Sequence, residues 1–238
     1  MSSNRTRAAI SALFSWAIER GMVEANPVSR TKPRKERPRD RVLRADEVKP
    51  LVTALDQSPA DFRDVVLLVL FTACRRGEIL GLRWDEVTTG GSAPRVTISP
   101  ERTKARRTRE VPLIPQAVDV LERRRENAEG EYVFPSDSAT GHLGTIKKSW
   151  ATLLQRAGIE NAVPHDLRRS VAQAALDAGA DFAVVSALLG HSRSSLGTTG
   201  IYAAPSLDRQ RATLERGVAR LFDLSEAGEA EVVLFPAG

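Results

Sequence analysis

Five side chains of this 238-residue chain are of types that could act on a phosphate and sit in distinctive local motifs: Arg75, His165, Arg168, His191 and Tyr202. Each also has an ordinary role. Arg75 follows an apolar run and could cap a helix C-terminus, where cations are favoured. His165 and Arg168 lie three apart just after Pro164, so they share a helix face. A histidine near a helix cap and an exposed arginine would look the same. His191 follows Leu188-Leu189-Gly190, where a structural histidine would sit, and an isolated tyrosine such as Tyr202 is more often core than nucleophile. Of the three histidines and two tyrosines in the chain, His142 lies beside Gly141 and reads as surface. Tyr132, inside Tyr132-Val133-Phe134-Pro135, reads as core. Metal-assisted phosphoryl transfer wants clustered acidic ligands, and these segments offer none. No Gly-Lys-Ser/Thr phosphate loop is present either. Without a metal, cations must surround the non-bridging oxygens. Two guanidinium forks suit that role through bidentate geometry and permanent charge. A tyrosine phenol can be the nucleophile and form a covalent phosphoprotein, and a lysine can protonate the departing oxygen.

These residues need a scaffold, and the hydrophobic pattern predicts one that is mainly α with a small antiparallel β-sheet (α+β). Residues 4–20 read as an amphipathic helix through Ile10, Leu13, Phe14, Ala17 and Ile18, stopped at Gly21. Helices are also expected over 46–55 (with Pro50 an awkward resident), 61–74, 77–83, 115–127, 144–157, 165–178, 181–189, 198–203 and 206–222. The run Val65-Val66-Leu67-Leu68-Val69-Leu70-Phe71 marks a buried central helix. Residues 95–99 and 109–113 have β-character on either side of a basic turn, as in a hairpin. No internal repeat is evident.

Composition narrows the class. At 42% hydrophobic and 27% charged residues the chain can bury a core. No apolar run approaches the roughly 20 residues that cross a bilayer, and the polar N-terminus lacks a signal-peptide pattern. Cys74 is the only cysteine, which leaves no disulfide framework or cysteine-based zinc site. A reducing cytoplasmic location is expected. Net charge is +5, but residues 223–238 hold Asp223, Glu226, Glu229 and Glu231 and no Lys or Arg, leaving +9 on the rest. Between Arg30 and Arg44 stand eight basic residues, Arg30, Lys32, Arg34, Lys35, Arg37, Arg39, Arg41 and Arg44, interrupted by Pro33 and Pro38. This stretch reads either as a solvated tether or as an extended segment along a nucleic-acid backbone.

Together the segments resemble the tyrosine recombinases, the phage-type integrases. Thr72-Ala73-Cys74-Arg75-Arg76-Gly77-Glu78-Ile79-Leu80-Gly81-Leu82-Arg83-Trp84 is similar to the family's first-arginine box, with Arg75 rather than Arg76 at the arginine position. Thr103 to Leu113 is similar to the catalytic-lysine hairpin, with Lys104 at the lysine position. Pro164-His165-Asp166-Leu167-Arg168-Arg169-Ser170, Leu188-Leu189-Gly190-His191-Ser192 and Thr198-Thr199-Gly200-Ile201-Tyr202 match the remaining boxes in order. The separation of His191 and Tyr202 is about two residues longer than in typical members.

The resemblance implies the integrase catalytic-domain fold and a division into four parts. Residues 1–26 would be the last helix of a truncated core-binding domain, and 27–42 a basic linker. Residues 43–222 would be the catalytic domain, and 223–238 an acidic tail that is either frayed or docks on a neighbouring protomer. It implies site-specific DNA cleavage and rejoining through a 3′-phosphotyrosyl intermediate, with no cofactor and no metal. Arg75 and Arg168 would grip the scissile phosphate. His165 would assist proton transfer or hold the phosphate, and His191 would donate to a non-bridging oxygen. Lys104 would protonate the 5′ oxygen, and Tyr202 would attack phosphorus. Arg34, Lys35, Arg37, Arg39, Arg102, Arg106, Arg107 and Arg109 are expected on the DNA backbone. The expected partner is double-stranded DNA, bound as a homotetramer, with a monomer or weak oligomer free in solution and no membrane. Three alternatives stand beside this one: a DNA-binding remnant without catalysis, a type IB topoisomerase-like relaxing enzyme, and a metal-dependent nuclease, the last disfavoured by the missing carboxylates.

Overall fold

The apolar run Val65–Phe71 is the middle of a buried helix, Ala60–Thr72, and every residue of the run is shielded from solvent. With apolar residues on all faces, such a helix is stable only when surrounded, and the rest of the fold surrounds it. The computed structural model describes residues 3–35, 39–103, 106–190 and 204–226, with side chains to residue 223. These fall into two compact units, Met1–Asp40 and Arg41–Gly238.

The first unit is one helix, α1 (Ser3–Glu19), and a segment that folds back along it. Gly21, at φ +67°, makes the reversal. Asn26 donates to the Ser11 carbonyl (3.1 Å), Arg7 to the Thr31 carbonyl (2.7 Å), and Asn4 exchanges two hydrogen bonds with the backbone of Arg34. The basic residues 30–35 are therefore tied to the helix over part of the expected linker. Among the described residues α1 buries none of its own, and Leu13 is 61% and Trp16 46% exposed.

The second unit holds the remaining elements: α2 (Ala45–Asp56), α3 (Ala60–Thr72), α4 (Arg76–Leu80), β1 (Val87–Thr88), β2 (Arg95–Ile98), β3 (Arg109–Pro112), α5 (Pro115–Arg125), α6 (Lys147–Ala157), α7 (Pro164–Asp177), α8 (Phe182–Leu188) and α9 (Leu207–Glu226). The fold is mostly helical with one three-stranded antiparallel sheet in the order β1-β2-β3. Val96 pairs with Val87 on one side and Val111 on the other, and Ile98 pairs with Arg109. The expected hairpin is present. β1 is an addition, two residues long and too short to leave a period in the sequence. Pro50 sits inside α2 on an exposed face, where the carbonyl it leaves unpaired can reach water. The helix expected over 198–203 lies outside the described residues.

One device recurs at the helix starts. Glu47, Glu78, Glu86 and Asp166 are all buried, and each accepts a hydrogen bond from the backbone N–H three residues before it, at Arg44, Arg75, Arg83 and Val163. This is the carboxylate half of a capping box, and it also places negative charge at the positive end of the helix dipole.

α9 packs along α7 and also meets α2, α3, α8 and β3. Its closest approach to α7 is at Gly217. A Cβ there would lie 2.8 Å from the Val171 carbonyl oxygen and 2.9 Å from Ala175 Cβ. Gly217→Ala gains about 1 kcal/mol of helix propensity, but overpacking against a backbone atom costs about 1–3 kcal/mol. We expect a net loss and a larger one for Gly217→Val, measured as lowered urea midpoints. An unchanged midpoint for Val would rule out this close contact.

Candidate active site

Arg168 is the best-defined member of the expected site. It occupies the first half of α7, which begins with Pro164 at N1, where a missing N–H costs nothing. Its side chain is buried and donates to two carbonyls, Ala73 at the end of α3 and Leu189 at the end of α8. Both carbonyls lie at helix C-termini, where a cation is favoured. Ala73 itself takes a left-handed conformation, φ 50°, which closes α3 and turns the chain into Arg75. One guanidinium thus joins the ends of two helices that precede two of the expected boxes.

Arg75 is the N-cap residue of α4 and partly exposed. Its Nη1 donates to Glu78 Oε1 at 2.9 Å, and its backbone N–H to Glu78 Oε2 at 2.8 Å. Arg76, next in the chain, is solvent-exposed. Of the two, Arg75 is the one that faces Glu78. His165 stands at the open edge of the same group, one turn before Arg168. Partial burial, then the guanidinium groups of Arg168 and Arg169, hold its imidazole below the ordinary histidine range despite the opposing Asp166; Arg75 acts in the same direction. Burial, then the charges of Arg109 and Arg75, pull Arg168 down to about 10, so it stays charged at neutral pH. Arg75, His165 and Arg168 therefore feel one another's charge. Lys104, His191 and Tyr202 lie outside the described residues.

Glu78 is the carboxylate in this cluster. Burial pushes its carboxyl up, but Arg109, together with the Arg75 backbone and side chain, outweighs this and holds it below its ordinary range. Three guanidinium groups, Arg75, Arg109 and Arg168, face this one carboxylate, an excess of positive charge suited to a polyanion. Glu78 is not among the residues that a phosphate-binding pattern singles out. Its signal was the spacing Arg-x-x-Glu at a helix start, repeated at Arg44/Glu47 and Arg83/Glu86.

The residues expected on DNA divide in two. Arg34, Lys35, Arg39, Arg106 and Arg107 are solvent-exposed. Thr103 bonds to both the N–H and the carbonyl of Arg107, and Arg106 is left-handed at φ 49°. Arg102 and Arg109 turn inward instead. Arg102 pairs with Glu86 and donates to the Glu78 carbonyl, and Arg109 pairs with Glu78 at 2.7 Å. Arg37 lies outside the described residues. His142, read as surface, is half-buried. Its ring lies 5.1 Å from that of Tyr132, and its Nδ1 is 3.0 Å from the Leu143 carbonyl. Tyr132, read as core, is likewise half-buried, with the Arg83 guanidinium carbon 5.5 Å from its ring centroid. Among the described residues no three His, Cys, Asp or Glu side chains could hold a metal ion, and no helix is long and apolar enough to cross a membrane.

The model of the phage integrase family matches residues 41–209. A tyrosine recombinase XerC from Mycobacterium bovis is 31% identical over 234 residues, covering 91% of this chain and 76% of that protein. Among solved structures, a lambda integrase (75-356) dimer bound to a COC′ core site aligns over 86% of this chain and 75% of its own, with a TM-score of 0.61 at 22% identity. A lambda integrase tetramer bound to a Holliday junction aligns over 79% of this chain and 58% of its own, with a TM-score of 0.59 at 23% identity. The two structures share the fold. The family model and the XerC relative span the boxes that hold Arg75, His165 and Arg168, and they show that this chain belongs to the phage integrase family of tyrosine recombinases.

Proposed function

We propose that the chain is a site-specific DNA recombinase that breaks and rejoins strands through Tyr202. The observation that carries this reading is the meeting of Arg75, His165 and Arg168 in one basic cluster, in a chain whose sequence continues to Tyr202 in family order. Arg75 and Arg168 bind the non-bridging oxygens of the scissile phosphate and stabilise the charge that develops there. The Tyr202 phenol oxygen attacks phosphorus. One P–O bond forms to the phenol and one breaks to the 5′ oxygen. His165, neutral at pH 7 because its pKa is lowered, accepts the phenol proton. Lys104 donates a proton to the 5′ oxygen, and His191 donates a hydrogen bond to the phosphate. One phosphoester is exchanged for another, so the reverse step can reseal a strand without ATP.

Arg34, Lys35, Arg37, Arg39, Arg106 and Arg107 contact the DNA backbone in this reading. Four copies assemble on paired sites, as the lambda integrase tetramer does on a Holliday junction. The domains in this reading are the last helix of a core-binding domain (1–26), a basic linker (27–42), the catalytic domain (43–222) and an acidic tail (223–238).

The test is incubation with a nicked suicide DNA substrate in EDTA. We expect a covalent protein–DNA adduct whose digested peptide carries the nucleotide on Tyr202. Cleavage that stops in EDTA, or an adduct on another residue, would refute the mechanism.

A further inference from the structure

The geometry points to Arg109 as a positioning residue: it takes the second Glu78 oxygen, so that the carboxylate holds the Arg75 side chain by one prong and the rest of that guanidinium remains available to the phosphate, and it fixes the end of α8 beside the same cluster. This rests on the recombinase reading of Arg75 and Arg168.

Arg109 lies on β3, five residues after Lys104. It pairs with Ile98 across the sheet and shares parity with the buried Val111 and Leu113, so its side chain leaves the sheet on the inner face. There Nη1 donates to Glu78 Oε2 at 2.7 Å and Nη2 to the Leu188 carbonyl at 2.7 Å. Nε is buried, with no partner among the described residues. The guanidinium also fills the space beside Gly190, where a Cβ would come 2.6 Å from Nε. Gly190 is left-handed at φ +59°, so the backbone conformation and the close approach both require glycine there. His191 is the next residue in the chain.

Glu78 is shared. Oε1 accepts from Arg75 Nη1, while Oε2 accepts from the Arg75 backbone and from Arg109. A carboxylate prefers a two-pronged pair with one guanidinium. Arg109 occupies the second oxygen and supplies a second charge, which limits Glu78 to a single prong on the Arg75 side chain. Without Arg109, one Arg75 fork would be neutralised by its own helix cap. A phosphate contact would have a different signature, because each lost phosphate contact lowers the salt dependence of binding by about one unit of slope.

The test compares wild type, Arg109→Met, Glu78→Gln and the double variant on the suicide substrate, measuring single-turnover cleavage, DNA affinity against salt and thermal melting. Arg109→Met should cut the cleavage rate by about 30-fold, within the coupling seen for contacting groups, with the salt slope unchanged. Glu78→Gln removes the charge that Arg109 restrains. The double variant should therefore cleave faster than Arg109→Met alone, which loss of a merely structural residue would not produce. A wild-type rate in Arg109→Met, a salt slope reduced by about one, or a double variant slower than Arg109→Met would each overturn the proposal. If Arg109→Met does not fold, Arg109→Lys keeps a cation on Glu78 and should retain the rate within about fivefold; a folded Lys variant that is slower than this would also overturn it. Absence of any wild-type adduct would defeat the recombinase reading itself, and this inference with it.

Discussion

Tyr202→Phe should abolish the covalent adduct while leaving DNA binding within about twofold of wild type. The change removes one oxygen and preserves the ring. The nucleophile is lost, and removal of a nucleophile costs on the order of 10⁴-fold or more in rate. Binding survives because affinity for DNA comes from cations on phosphates, and the exposed Arg34, Lys35, Arg39, Arg106 and Arg107 are untouched. The chain contains one other tyrosine, Tyr132. That residue is occupied structurally: its ring meets His142, Arg83 lies near it, and its backbone bridges to Arg83. An adduct that persists in Tyr202→Phe would place the nucleophile elsewhere. A wild-type chain that binds DNA and never forms an adduct would favour the binding remnant. An adduct formed at single sites with relaxation of a supercoiled plasmid, and no exchange between paired sites, would favour the topoisomerase-like reading.

The helices were legible wherever one face or all faces are apolar over several turns. The run Val65–Phe71 announced α3, and the expected ranges for α1, α2, α5, α7, α8 and α9 fall within a few residues of those observed. What escaped was set by contacts distant in sequence. His142 is drawn in by Tyr132, and its ring lies within 3.5 Å of where a Cβ on Gly81 would stand, a neighbour some sixty residues earlier. No local period records such a pairing. At the site, residue type alone does not separate Arg102 and Arg109, which pair with Glu86 and Glu78, from the exposed Arg106 and Arg107 of the same basic stretch. Alternation along 109–113 already put Arg109 on the side of Val111 and Leu113. An inward guanidinium needs hydrogen-bond acceptors, and for Arg109 the Glu78 carboxylate and the Leu188 carbonyl supply them. The boxes themselves are legible because histidine and tyrosine, three and two in the whole chain, are few enough for their order among the arginines to be distinctive.

Arg168→Lys should slow cleavage by about 10²–10³-fold, the cost of about 3–4 kcal/mol seen when one preorganised donor to a developing charge is lost. Lysine keeps a formal charge, so the size of the effect depends on geometry. The guanidinium bonds two backbone carbonyls at once, Ala73 and Leu189, from ends of α3 and α8 that the sequence separates by more than a hundred residues. An ammonium is a point charge on a flexible stem and cannot reproduce that planar span. One carbonyl is left without its partner, at a cost of about 1–3 kcal/mol in a buried setting. The charge is also less secure. Burial and the neighbouring Arg109 and Arg75 already pull Arg168 down to about 10. A lysine ammonium starts lower, at about 10.4, and would meet the same burial and the same neighbours. The Lys variant should therefore lose further activity as pH rises from 7 to 9, because its ammonium deprotonates, whereas Arg168 in the wild type keeps its charge over that range. Single-turnover cleavage measured across those pH values separates the two causes. A loss that is constant with pH would assign the whole effect to the missing fork, and a Lys variant as fast as wild type would remove Arg168 from the phosphate altogether.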